Sequence, residues 1–340
     1  MDWNNKKEIE RINSDLGNIS FQDQCVLVTG GAGFLGSWVC DVLISQGAEV
    51  ICVDNLSSGL LPNISHLLDA DGFRFIKHDI SEPITIDKKL DLVIHMASRA
   101  SPFEFEHYPI EILRANTLGM MASLEIAREH SARLLYTSTS EVYGNPEIVP
   151  TPESYPGSVN PVGPRGCYDE AKRCGEAYAV AYRRQHGLDT RIARIFNTYG
   201  PRIRGDGIYA RAPPRFISQA LSGKPVTIFG DGGQTRSFTY VTDQVEGLLR
   251  LASVEGAGGA VVNIGSDRET TIIDVARAIL EITGSNSPLT YHPLPQDDPL
   301  RRRPDITRAN ELLGWRPKVA LEEGLRRTVD WFRSAGGEVN

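Results

Sequence analysis

The sequence predicts an α/β fold, a doubly wound parallel sheet with a smaller α/β unit interleaved towards its C-terminal side. Three observations point to it. A short β-branched run, 25–29, ends in a turn with glycines at 30, 33 and 36 and opens onto 37–44, where apolar residues recur at helical spacing. From Cys25 to about Arg194, short apolar runs alternate with helical segments, the pattern of a parallel sheet covered on both faces. Past residue 195 proline and glycine become frequent and the alternation changes.

Taken in order, residues 1–22 form an N-terminal extension in which Ile9, Ile12 and Leu16 share one side of a short helix. Residues 26–29, 49–54, 73–76, 90–95, 133–137 and 190–194 read as strands, each apolar and bounded by turn or helical residues. Helices are expected near 34–46, 109–130 and 168–186. Residues 23–195 therefore form the Rossmann-like dinucleotide-binding domain. Residues 196–340 form mainly a second, smaller unit, with a helix at 213–221 and a strand at 226–229. The C-terminal stretch 309–332 is helical, with Trp315 and Trp331 as core residues. No internal repeat or low-complexity segment is present.

The glycine spacing has a physical reading. Gly30 lets the backbone turn sharply, Gly33 lets a pyrophosphate approach the main chain, and Gly36 lets the helix pack on the strand. The helix start then turns its unpaired N–H groups towards the phosphates. A glycine-rich turn alone is a weak signal. Here a strand precedes it, a helix follows, and Asp54 ends the next strand about 20 residues on. A carboxylate there accepts bonds from ribose hydroxyls and repels a 2′-phosphate, which favours NAD over NADP. The expected cofactor set is Gly30, Gly33, Phe34, Leu35, Gly36, Asp54, Asn55, Asp79, Ile80, Ala97 and Ser98, most of them at strand ends. Asp79 also reads as a simple turn cap.

Composition narrows the class. Apolar residues are 41% of the chain, enough for a substantial core, and the formal net charge of −7 argues against nucleic-acid or membrane-surface partners. The five cysteines form no CxxC pair and no zinc spacing, so we expect reduced thiols, no metal and a cytoplasmic location. The N-terminus lacks the apolar core of a signal peptide, and no run is long enough to span a membrane.

Two clusters carry chemistry. Residues 136–144 crowd hydroxyls and Glu141 at the rim of the sheet. Tyr168 and Lys172 stand at i and i+4, so they share a helix face. A nearby ammonium is expected to lower the phenol's pKa, which suits proton abstraction from a sugar hydroxyl.

These residues resemble the extended short-chain dehydrogenase/reductase family over nearly the whole chain after residue 22. Within it they are most similar to UDP-glucuronate decarboxylases, the UDP-xylose synthases. The blocks 138–144 with 152–155, 159–170, 297–306 and 313–317 carry the likeness. The resemblance implies that Thr139 bonds the sugar O4, Tyr168 removes its proton, and Lys172 tunes Tyr168 and holds the nicotinamide ribose. It further implies that Glu141 acts beside C5 and that Ser140, Asn197, Arg204, Arg236 and Arg302 bind substrate, with Asn197, Arg236 and Arg302 on the diphosphate. NAD would oxidise C4, the resulting β-keto acid would lose CO₂, and hydride would return to C4. It also implies a homodimer through the helices near 109–130 and 168–186, and segments near 238–265 that return to the large sheet.

Arg204 departs from the decarboxylase pattern and resembles UDP-glucuronate 4-epimerases instead. There an arginine would clamp the carboxylate, suppress CO₂ loss and yield UDP-galacturonate. Arg99 is also unusual for a decarboxylase. A non-catalytic nucleotide-sugar or NAD sensor on this fold is the remaining reading. Such a sensor has no need to keep Thr139, Tyr168 and Lys172 together.

Overall fold

The computed structural model describes residues 5–205, 211–294 and 300–334. Residues 206–210 of the 200–214 loop and 297–299 of the 297–306 block lie outside them. The chain opens with α1 (Asn5–Leu16), β1 (Cys25–Thr29), α2 (Phe34–Ser45), β2 (Glu49–Asp54), β3 (Phe73–Lys77) and β4 (Leu92–His95). It continues with α3 (Pro102–His107), α4 (Pro109–His130), β5 (Arg133–Thr139), α5 (Gly166–His186) and β6 (Thr190–Ile195). Next come β7 (Thr198–Tyr199), α6 (Ala212–Leu221), β8 (Val226–Phe229), β9 (Thr235–Ser237) and β10 (Thr239–Tyr240). After them stand α7 (Val241–Ser253), β11 (Val261–Ile264), β12 (Glu269–Thr271), α8 (Ile272–Thr283), β13 (Leu289–His292), α9 (Thr307–Leu313) and α10 (Leu321–Ser334).

Seven strands form one sheet in the order β11-β6-β5-β4-β1-β2-β3, every pair parallel. All five residues of β1 and all four of β4 are buried. Their unbroken apolar runs reflect helices on both faces. The strand order reverses beside β1, and the crevice at such a switch point is where ligands sit.

The α/β class and the parallel sheet follow the sequence reading; some boundaries move. β5 runs two residues further than expected, to Thr139, and ends in a 3₁₀ turn at Ser140–Tyr143. This carries Thr139 to the rim. The fifth helix begins at Gly166 rather than 168, which puts Tyr168 in its first turn. The six-residue α3 was not expected. Ser101 and Glu104 close a capping box at its start, a reciprocal pair that satisfies two orphan N–H groups.

The first helix is part of the core. Ile12 and Leu16 are buried, and Glu8 pairs with Arg327 of α10 at 2.9 Å. Trp315 is fully buried and donates its indole N–H to Asp243 O at 2.9 Å. Trp331 is only partly buried.

The segment after β13 is sewn across the sheet. Asn263 of β11 donates from Nδ2 to Thr151 O and Asp305 O, each at 3.0 Å, and accepts from the Tyr143 hydroxyl at 2.7 Å. Thr151 N donates to Arg303 O and Asp305 N to Thr151 O. These bonds fix Arg302 over the end of β5.

Candidate active site

A cavity of about 480 Å³ opens at the C-terminal ends of β1, β2, β4, β5 and β6. Its first wall is the glycine turn. Gly30 has φ +73°, and a Cβ there would stand 2.7 Å from the Ala97 backbone. A Cβ at Gly36 would stand 2.2 Å from Gly30 O, so this glycine packs the helix against the loop itself rather than against the strand. At Gly33 a Cβ would meet only Gly30 O, at 3.1 Å, and otherwise fill the cavity. Gly33 is also the N-cap of α2, and no side chain caps that end. Backbone N–H groups thus face a space with room for an anion.

The expected cofactor residues converge here: all eleven line the cavity. Asp54 accepts from Ala32 N at 3.0 Å and Leu56 N at 2.8 Å, and burial pushes its carboxyl up despite these bonds. Asp79 is a turn cap as well as a wall residue. Its Oδ1 accepts from Ser81 N and Oγ, and its Oδ2 from Asn55 Nδ2 at 3.0 Å. Burial raises the Asp79 carboxyl, but these bonds outweigh it and the net shift is downward. A glycine cradle that any Cβ would fill, an uncapped helix start and a carboxylate at the end of β2 fit NAD.

At the opposite wall Thr139, Tyr168 and Lys172 come together. Thr139 lies beside the Tyr168 phenol and favours its ionised form, and Tyr168 stacks on Phe105 with ring centroids 4.9 Å apart. Lys172 Nζ donates to Thr137 O at 2.8 Å and lies 5.9 Å from the Tyr168 ring centroid. One expectation is corrected here. The Tyr168 pKa is raised rather than lowered, because burial disfavours phenolate more than Arg211 favours it. Lys172 cannot compensate, since burial brings its own pKa down to about 7. Helical spacing put the two on one face, but it did not reveal how dry that face is.

Ser140, Asn197 and Arg204 line the cavity; Glu141, Arg236 and Arg302 do not. Arg302 grips Glu141 with two bonds, Nη1–Oε1 at 2.6 Å and Nη2–Oε2 at 2.7 Å, and Arg165 Nη2 binds the same carboxylate. Burial would raise the Glu141 carboxyl, but Arg165 and Arg302 hold it down at about 2. Two expectations change accordingly. Arg302 stands on Glu141 instead of facing a phosphate, and Glu141 is an ion-paired carboxylate with no proton to give. Arg236 donates to Thr235 O at 2.8 Å and adds its charge to the same cluster.

Arg99 lines the cavity but is engaged by its neighbours. It binds Glu104 at 3.0 Å and lies over the Tyr108 ring at 4.1 Å, while the other Glu104 oxygen holds Ala100 N and Ser101 N. It pins the loop before α3. Sequence reasoning missed Arg211, which lines the cavity, donates to Ala100 O and acts on both Tyr168 and Glu141. It also missed Arg165. Neither stands in a local pattern that marks it. Among the described residues no group of His, Cys, Asp or Glu is placed to hold a metal ion, and no helix is long and apolar enough to cross a membrane.

Comparison with known proteins gives a consistent picture. The pattern of the NAD dependent epimerase/dehydratase family matches residues 26–265. UDP-glucuronic acid decarboxylase 1 of Xenopus tropicalis is 46% identical over 309 residues, covering 91% of this chain and 72% of that protein. UDP-glucuronic acid decarboxylase 4 of Arabidopsis thaliana is 45% identical, covering 91% and 68%. Among solved structures, UDP-glucuronic acid 4-epimerase from Bacillus cereus, with NAD and a fluorinated UDP-sugar, superposes with a TM-score of 0.82 at 29% identity, covering 92% and 99%. An epimerase from Methanothermobacter thermautotrophicus does so with a TM-score of 0.86 at 32% identity, covering 96% of each chain. A match running from the first strand of the sheet to the last leaves one conclusion: the chain belongs to the NAD dependent epimerase/dehydratase family.

Proposed function

We propose that the protein converts UDP-glucuronate to UDP-xylose through a 4-keto sugar, with Thr139 and Tyr168 at O4. The observation that carries the chemistry is the meeting of Thr139, Tyr168 and Lys172 on the cavity wall opposite the glycine turn. The likeness to decarboxylases over most of the chain favours CO₂ loss over epimerisation. NAD, held along Gly30–Gly36 and Asp54, supplies the hydride acceptor and donor for C4. Tyr168 takes the O4 proton, and Thr139 hydrogen-bonds the same hydroxyl. Lys172, buried and tied to Thr137 O, would hold the nicotinamide ribose and lends Tyr168 positive charge when protonated. The ketone lies β to the carboxylate, so the electrons left by CO₂ delocalise into it. Asn197 and Arg204 face the UDP-sugar from the far wall.

Incubation with UDP-glucuronate, without added NAD⁺ beyond what co-purifies, should give a product lighter by one CO₂. A product of unchanged mass would overturn this reading in favour of the epimerase, with Arg204 as its clamp. An untouched substrate would remove both.

Residues 196–340 would supply most of the nucleotide-sugar contacts. We read the assembly as a homodimer, because Ile110, Leu118 and Met121 expose apolar surface on α4 beside α5. A monomer mass by light scattering would contradict that. A cytoplasmic location accords with five free cysteines, and recovery in a secreted fraction would contradict it.

A further inference from the structure

We propose that Asp169 is a positioning residue of this reaction: it shares the Arg165 guanidinium with Glu141 and so governs how tightly Glu141 is held. The inference rests on the decarboxylase reading above and concerns a residue to which that reading gives no role. Asp169 follows Tyr168 in the first turn of α5 and is buried. Its Oδ2 lies 3.5 Å from Arg165 Nε, while Arg165 Nη2 binds Glu141 Oε2. One guanidinium thus bridges two carboxyl groups, Glu141 two residues after Thr139 and Asp169 next after Tyr168. Arg165 also lies over the Phe105 ring at 5.4 Å, so it is held between them.

The two carboxyls are not equivalent. Glu141 has Arg302 on both oxygens in addition to Arg165. Among the described residues Asp169 has only the Arg165 Nε contact for its side chain, and its Oδ1 is buried with no hydrogen-bond partner there. The groups that act on it are Glu141 from the turn after β5, Arg302 from the segment before α9, and Arg165, Tyr168 and Cys167 from its own stretch of chain. Burial first and the Glu141 charge second push the Asp169 carboxyl up to about 7, against Arg165 and Arg302. Neutral Asp169 leaves Arg165 to Glu141. Ionised Asp169 competes for it and loosens one of the two grips on Glu141. Glu141, clamped at low pH, then becomes more basic and less tightly held as pH rises through neutrality.

Asp169→Asn keeps the shape and removes the ionisation. In ¹³C-aspartate-labelled protein, one carboxyl resonance should titrate near neutrality and be missing from the variant. With UDP-glucuronate, wild-type kcat should rise through the same pH region. The variant should lose that inflection and fall roughly tenfold in kcat with KM little changed, the signature of an effect on the chemical step rather than on binding. Asp169→Glu should restore the inflection. A purely structural role would lower thermal stability and leave the pH profile in place. An unchanged profile in Asp169→Asn, or a wild-type protein without the near-neutral resonance, overturns the proposal; the second readout stands even if the asparagine variant fails to fold. A wild type that shows the resonance but leaves UDP-glucuronate untouched overturns the functional reading instead.

Discussion

Tyr168→Phe should lower kcat on UDP-glucuronate by roughly 10²–10⁴-fold, the range for removing a positioned general base. The ring should stay, because Phe105 stacks on it and Ile112 packs with both. Thr139 is the side chain beside the hydroxyl, and losing one such neighbour should alter stability by only about 1 kcal/mol. NAD retention after purification and the affinity for UDP should change little, since the glycine turn and Asp54 stand on the opposite wall and Lys172 is kept. Rapid-quench turnover beside bound-NAD absorbance checks both halves. Unchanged turnover would remove Tyr168 from the chemistry.

Glu141→Gln should be costly in two separate ways. Arg165 and Arg302 would lose the carboxylate between them, and breaking a buried pair typically costs about 3–5 kcal/mol. Glu141 is buried with both oxygens engaged, so solvent does not soften the loss. Decarboxylation should fall as well. The double variant Glu141→Gln with Arg302→Met should recover much of the stability and none of the activity; recovery of both would make the pair purely structural. The pH dependence has a definite sign. The Glu141 carboxyl is held at about 2 against an ordinary 4.5. Its contribution to stability is therefore complete above the unfolded value and drains away as pH falls towards the folded one. In denaturant melts the variant should show a weaker loss of stability over that acid range.

The sheet was legible because its strands are buried on both faces, and such strands are written as unbroken apolar runs such as 25–29 and 92–95. The glycine turn was legible because its constraint is local: Gly30 needs its positive φ within a few residues of the strand it ends. Ser101 and Glu104 stood three apart as a capping pair, yet α3 was missed because one turn and a half of Phe, Glu and His gives no helical stripe. The Glu141 cluster was not legible. Arg165, Asp169, Arg211 and Arg302 meet it from three separate stretches of chain, and no spacing rule joins them. The Tyr168–Lys172 pair lay between these cases. Its geometry followed from spacing, whereas the direction of the Tyr168 shift depended on burial supplied by Phe105 and the loop before α3.

The strap that carries Arg302 to Glu141 also says something about time. The two partners are 161 residues apart in the chain. Bringing ends that far apart together removes roughly 4–5 kcal/mol of chain entropy by the logarithmic law for loops, and contacts of such long range form slowly. Strands β1 to β6 can pair and shape the cofactor cradle from the first part of the chain alone. During that interval Glu141 has Arg165 but lacks its two-pronged partner, Arg302. The order of assembly is therefore built into the topology: a nucleotide cradle first, a reaction centre last, with Asn263 as the stitch that closes it.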